Sequence, residues 1–243
     1  MDLNNEVALV TGGSRNIGLA IARALGASGA RICIWGGSDA VAMDKALSLL
    51  NGDEESRIGM LVKVEDEDAV VDAFDQIEAR MGPVSILVNN AALRPYEPLN
   101  SMSREAWTSV LDVILTGAFL TSRELFRRLP EERNGAIVNI GGISAHRPAS
   151  NRAHVITAKA GLIGLTRALA QEGLGRIRAN CVVPGAINTE TRPGGQRPRF
   201  LDDKDHTPGH VDDVASAVLS LANPNAQYVT GQTVHVSGGR FMP

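Results

Sequence analysis

A doubly wound α/β fold, one domain built on a seven-stranded parallel sheet flanked by helices, is the architecture this sequence predicts. Three observations carry the expectation. Short apolar runs alternate with longer stretches whose apolar residues recur three and four positions apart, the pattern of a parallel sheet covered on both faces. A glycine-rich turn joins the first such run to the first helical stretch. The length of 243 residues suits a single α/β core, which commonly reaches about 250.

Each element follows from its pattern. Val7–Thr11 is an apolar run without alternation, as expected of a strand buried on both faces. Beyond the turn, Ile17–Ala27 carries Ile17, Ala20, Ile21, Ala24 and Leu25 at helical spacing. Arg31–Trp35 predicts the second strand and Ala40–Leu50 the second helix. Arg57–Val64 and Glu67–Met81 repeat the pair, followed by a strand at Ser85–Asn89 and a long helix over Arg104–Leu129. Ala136–Ile140 precedes a helix at Arg152–Glu172, Ile177–Val183 precedes one at Val211–Leu221, and Thr233–Val236 completes the sheet. The alternation implies right-handed crossovers. One compositional break, Thr189–Gly209, holds Pro193, Gly194, Gly195, Pro198, Pro208 and Gly209 with little periodicity. Its place after a strand's carboxyl end predicts a lid over the binding crevice.

Composition excludes several classes. Hydrophobic content of 44%, 21% charged residues and 25 glycines fit a folded α/β protein and not a disordered or collagen-like chain. A net charge of −3 creates no field for a polyanion, which argues against nucleic acid as a partner. Cys33 and Cys181 lie in apolar strand-like runs and read as small buried hydrophobes. No stretch approaches the ~20 apolar residues that cross a bilayer. The opening residues also lack the basic segment and apolar run of a signal peptide, so a cytoplasmic location is expected.

The turn Thr11-Gly-Gly-Ser-Arg-Asn-Ile-Gly18 has the strand–turn–helix context of a diphosphate-binding loop. Gly12 permits the tight turn, and Gly18 lets the helix pack close so that its amino-terminal amides face an anion. Further motifs follow in order: Asn89-Asn-Ala91, Lys159, Pro184-Gly185 with Thr189, and the terminal Thr230-Gly-Gln-Thr and Ser-Gly-Gly239. Together these resemble the short-chain dehydrogenase/reductase family, in the branch of the 3-oxoacyl carrier-protein reductases, over nearly the whole chain. The resemblance implies a Rossmann-like fold and a bound dinucleotide. Ser14, Arg15, Asn16 and Ile17 would line the phosphates between Gly12 and Gly18, and Asn90 with Ala91 would lie beside the adenosine ribose. Lys159 would hold the nicotinamide ribose, and Pro184, Gly185, Ile187 and Thr189 the carboxamide end.

The departures from the family pattern bear on function. Asn16 replaces the middle glycine of the turn, which asparagine tolerates because it enters left-handed backbone conformations readily. Gly36 stands where an NAD-preferring member carries an acid for the ribose 2′-hydroxyl. With Arg15 and Ser38 nearby, NADP is expected ahead of NAD. Lys63 replaces an aspartate that contacts the adenine amino group, and a cation cannot accept that hydrogen bond. At the reaction centre the family uses asparagine, serine, tyrosine and lysine. The matching positions are Ile114, Gly142, Val155 and Lys159, so the lysine alone remains.

Val155 has no proton to move and Gly142 offers only backbone groups, so ordinary ketone reduction by the family's mechanism is not expected. Ser144 and His146, on the loop above the strand's carboxyl end, are candidate substitutes beside Lys159. His154 is turned about 100° from Val155 along the helix and is expected at the surface or a subunit contact. His206, His210 and His235 show no metal-ligand spacing, and no metal is expected. Arg94, Arg147 and Arg152 near the mouth, with Arg192, Arg197 and Arg199 in the lid, suit an anionic small-molecule substrate. Asp202, Asp203 and Asp205 could equally neutralise the lid.

Three readings stay open. One is an atypical NADP(H)-linked oxidoreductase acting on an imine, an enone or an anionic carbonyl compound. Another is a catalytically silent subunit, a binding homomer or the partner of an active relative; for the chain itself the resemblance implies a homotetramer or homodimer assembled through the long helices. The last is a non-redox enzyme using Ser144, His146 or the arginines.

Overall fold

The computed structural model describes residues 2–190 and 207–243. Seven strands, β1 (Val7–Thr11), β2 (Arg31–Gly36), β3 (Arg57–Leu61), β4 (Ile86–Asn89), β5 (Gly135–Ile140), β6 (Ile177–Pro184) and β7 (Thr233–Val236), form one sheet in the order β3-β2-β1-β4-β5-β6-β7. Every pairing is parallel. The order reverses between β1 and β4, which opens a crevice at their carboxyl ends, the place where such sheets bind ligands.

Helices α1 (Asn16–Ala27), α2 (Ala40–Ser48) and α7 (Val211–Ala222) cover one face, and α3 (Glu67–Met81), α5 (Gly117–Arg128) and α6 (Ala153–Glu172) the other. Strand alternation assigns the two cores. In β1, Ala8 and Val10 pack toward Ile21, Leu25 and Val218, whereas Val7 and Leu9 pack toward Phe74, Ile77 and Leu125. Both cysteines are free and buried, and burial pushes the Cys181 thiol up to about 11. Among the described residues, no helix is long and apolar enough to cross a membrane.

Most boundaries fall within two residues of expectation, and two elements differ by more. The third strand ends at Leu61 and not at Val64. Val62 and Val64 are buried all the same, in the turn that leads to α3, so their apolar pattern reflects burial without strand pairing. The long helix over Arg104–Leu129 is broken into α4 (Arg104–Leu111), a π-turn at Asp112–Thr116, and α5. Close packing accompanies the break. A Cβ on Gly161 of α6 would lie 2.9 Å from Leu115, and one on Gly117 would lie 2.7 Å from Val64. Most of the expected lid, residues 191–206, lies outside the described residues, and with it Arg192, Arg197, Arg199 and His206.

Candidate active site

The glycine turn is held against the switch point by bonds between side chains and main chain. Thr11 Oγ1 accepts from the Asn90 and Ala91 amides at 3.0 and 3.1 Å. Asn90 Nδ2 donates back to the carbonyls of Thr11 and Gly12, both at 3.0 Å. The Asn90 side chain therefore braces the turn. Gly12 has φ +62°, and a Cβ on Gly18 would lie 2.2 Å from the Gly12 carbonyl oxygen. No side chain caps α1, so its first-turn amides are open to an anion. These features fit a diphosphate.

The adenine side is less open than the sequence suggests. Arg15 forms an ion pair with Asp39, which also accepts from the Ala42 amide as the cap of α2. An acid therefore does stand near the end of β2, three positions beyond Gly36, and it occupies the cation expected to serve a 2′-phosphate. The pair was missed because its partners are distant in sequence; Asp39 signals itself only as a helix cap. A side chain at Gly36 would face Met43 and Ser14 Oγ, and Ser38 and Lys63 are exposed.

At the other wall, Gly185 comes so close to β7 that a Cβ would meet Ser237 Cα at 2.8 Å. Ile187 is buried and bridges to Gly209, while Thr189 is partly exposed. A cleft of about 220 Å³ lies here, lined by residues including Ile187, Gly209, Asp213 and Ser237.

Lys159 is 5% exposed, and its ammonium donates to the Ile140 carbonyl at 2.5 Å. Burial lowers its pKa to about 7, Arg94 and Arg152 push the same way, and only the Cys181 thiol opposes them. A Cβ on Gly142 would sit 3.6 Å from Ser144 Oγ and 3.7 Å from Lys159 Cγ. Ser144 and Lys159 thus flank the space a serine at 142 would use. By contrast, Ile114 and Val155 are buried together with Val110, Ala118, Ala158 and Leu162 in a separate apolar cluster. Val155→Tyr is expected to overpack that cluster and cost about 1–3 kcal/mol, read as a lower thermal midpoint. Gly142→Ser should leave the midpoint unchanged, and equal midpoints for both variants would contradict this packing.

His146 is directed elsewhere. Its ring packs on His235 and Phe241, at centroid distances of 4.6 and 4.8 Å, and its Nε2 is buried without a partner. Arg147 donates to the Arg240 carbonyl, so this loop grips the carboxyl-terminal tail. Arg152 stacks on Tyr96, its guanidinium 4.7 Å from the ring centroid, and donates to the Tyr96 hydroxyl at 3.3 Å. His154 corrects the surface expectation. It is fully buried, and desolvation lowers its pKa. The rotation along the helix does turn it from Val155, but into protein, since the Glu97 amide bonds to the Asn151 carbonyl and brings that loop against the start of α6. Among the described residues, no group of three or more His, Cys, Asp or Glu is placed to hold a metal ion.

A family model described as enoyl-(acyl carrier protein) reductase matches residues 12–240. A solved structure from Brucella melitensis, described as a short-chain dehydrogenase/reductase of the glucose/ribitol dehydrogenase type, superposes with a TM-score of 0.88. Its identity is 27% and the match covers 100% of both chains. The chain belongs to the short-chain dehydrogenase/reductase family. Within it, the 3-oxoacyl-[acyl-carrier-protein] reductase FabG of Vibrio cholerae is 35% identical over 253 residues, and that of Escherichia coli K12 is 36% identical over 250. Both matches span 100% of each chain. The short-chain dehydrogenase/reductase fold accounts for the sheet order and the glycine turn.

Proposed function

We propose that this chain is an NADP(H)-linked oxidoreductase whose substrate needs no tyrosine proton: an imine or iminium, a conjugated double bond, or a carbonyl compound carrying its own anionic group. The observation that carries the reading is Lys159. A buried cation without a carboxylate is expensive, and such groups mark functional sites more than structural ones. Ile114 and Val155 have joined an apolar cluster, yet Lys159 remains a buried ionisable group beside Gly142 and Ser144.

Bound nicotinamide supplies the hydride. The α1 amides and the turn from Gly12 to Gly18 would hold the diphosphate, Lys159 the ribose hydroxyls, and Pro184, Gly185, Ile187 and Thr189 the carboxamide end. Ser144 Oγ would donate to the substrate atom from beside the position of the missing serine. With a pKa of about 7, Lys159 can release a proton near neutrality. Arg94 and Arg152 favour an anionic substrate. His146, drawn toward Phe241 and His235, lends little to a non-redox reading.

The preference for NADP depends on Arg15 leaving Asp39. Asp39→Asn keeps the helix cap and frees the guanidinium, so it should raise the NADPH-to-NADH affinity ratio about tenfold. An unchanged ratio in paired titrations would remove Arg15 from the 2′-phosphate site. Turnover is tested by offering imines, enones and keto acids with NADPH and following the nicotinamide absorbance. Substrate-dependent oxidation supports the proposal. Binding without turnover would favour the silent-subunit reading, which the Ile114 and Val155 packing supports and in which the chain assembles with itself or an active relative.

A further inference from the structure

The glycine turn makes one contact that the cofactor reading leaves unused. Asn16 takes φ 49° at the head of α1. Its Oδ1 accepts from the Glu190 amide at 2.9 Å, and its Nδ2 donates to the Glu190 carbonyl at 3.1 Å. These reciprocal bonds join residues 174 positions apart. A glycine at 16 could make neither.

The place of this contact gives it meaning. Asn16 follows β1, while Glu190 follows Thr189 beyond β6. In the sheet β4 and β5 lie between those strands, so their ends are three spacings apart, about 14 Å at about 4.8 Å per strand. The bridge spans that gap from the first residue of α1, whose opening turn has no side-chain cap. The bridge thus ties the turn that would hold a diphosphate to the segment that would hold the nicotinamide end.

We propose that Asn16 and the Glu190 main chain form a strap across the dinucleotide groove, which must open for the cofactor to enter or leave. Asn16 then sets the rate of cofactor exchange more than its affinity. The proposal rests on the dinucleotide reading above.

Stopped-flow fluorescence of NADPH, and separately NADH, would measure association and release for the wild type, Asn16→Gly, Glu190→Pro and the double variant. Glycine suits the positive φ at 16, and proline at 190 removes the amide donor from the other end of the strap. Asn16→Gly should bind and release about tenfold faster with Kd changed no more than about threefold, and Glu190→Pro should shift both rates in the same direction. Because both variants cut one strap, the double variant should be no faster than Asn16→Gly alone. Unchanged release rates in Asn16→Gly, or effects that multiply in the double variant, would overturn the strap while leaving the cofactor reading intact. Failure of every form to bind either nucleotide would overturn both.

Discussion

Lys159→Met is expected to stabilise the fold and to remove turnover together. Lysine in an unfolded chain titrates near 10.4, whereas burial holds Lys159 at about 7. Below about pH 7 the ammonium is charged in both states, and the burial penalty is complete. Between the two values the folded protein binds fewer protons than the unfolded chain, so stability rises with pH by about 1.4 kcal/mol per unit from this group. Methionine removes the penalty and loses only the bond to Ile140. The net gain should be of order 3 kcal/mol near pH 6 and should shrink as pH rises toward 10. Urea unfolding of both forms across this range measures it. Parallel pH profiles, or a variant less stable throughout, would show that Lys159 is not a buried unpaired cation. Turnover should fall about a hundredfold or more, and the wild-type reduction rate should decline as pH rises above the pKa of Lys159.

Gly18→Ala should abolish dinucleotide binding. A Cβ there would lie 2.2 Å from the Gly12 oxygen and 2.6 Å from Asn90 Nδ2. Neither atom can yield cheaply. The Gly12 carbonyl is fixed by the turn, and Asn90 Nδ2 holds both Thr11 and Gly12. Relief would require α1 to move away from β1, taking its amides out of range of a diphosphate. The strain should also cost about 3 kcal/mol of stability. Binding within about threefold of wild type would mean that the turn is not the diphosphate site. Gly12→Ala is the companion variant, strained by its φ of +62° without a contact so short.

The inner strands of the sheet were legible because they are buried on both faces, so runs such as Val7–Thr11 and Ile177–Val183 stand out without alternation. The helices were legible by spacing, but the π-turn at Asp112–Thr116 was not. Its extra residue leaves the apolar rhythm of Leu111, Ile114 and Leu115 intact, and packing against Gly161 accompanies the break. At the site, Gly12 and Gly18 were readable because the backbone shape of the turn requires glycine there, whereas Lys159 stood out only through the family motif. The contacts Arg15–Asp39, Asn16–Glu190 and Arg152–Tyr96 were not readable. Each joins residues from separate crossovers, and no periodicity records which loops meet above the sheet. His154 shows the same limit: the sequence says which way it turns from Val155, but not that a loop covers it.

On the proposed function, the dinucleotide groove works although Ile114, Gly142 and Val155 stand where the family carries asparagine, serine and tyrosine. Calorimetric titration of the purified chain, alone, with NADPH and then NADH tests it most directly. Micromolar binding, tighter for NADPH, is the expected result. No heat of binding with either nucleotide would contradict the account and leave the fold without its cofactor chemistry.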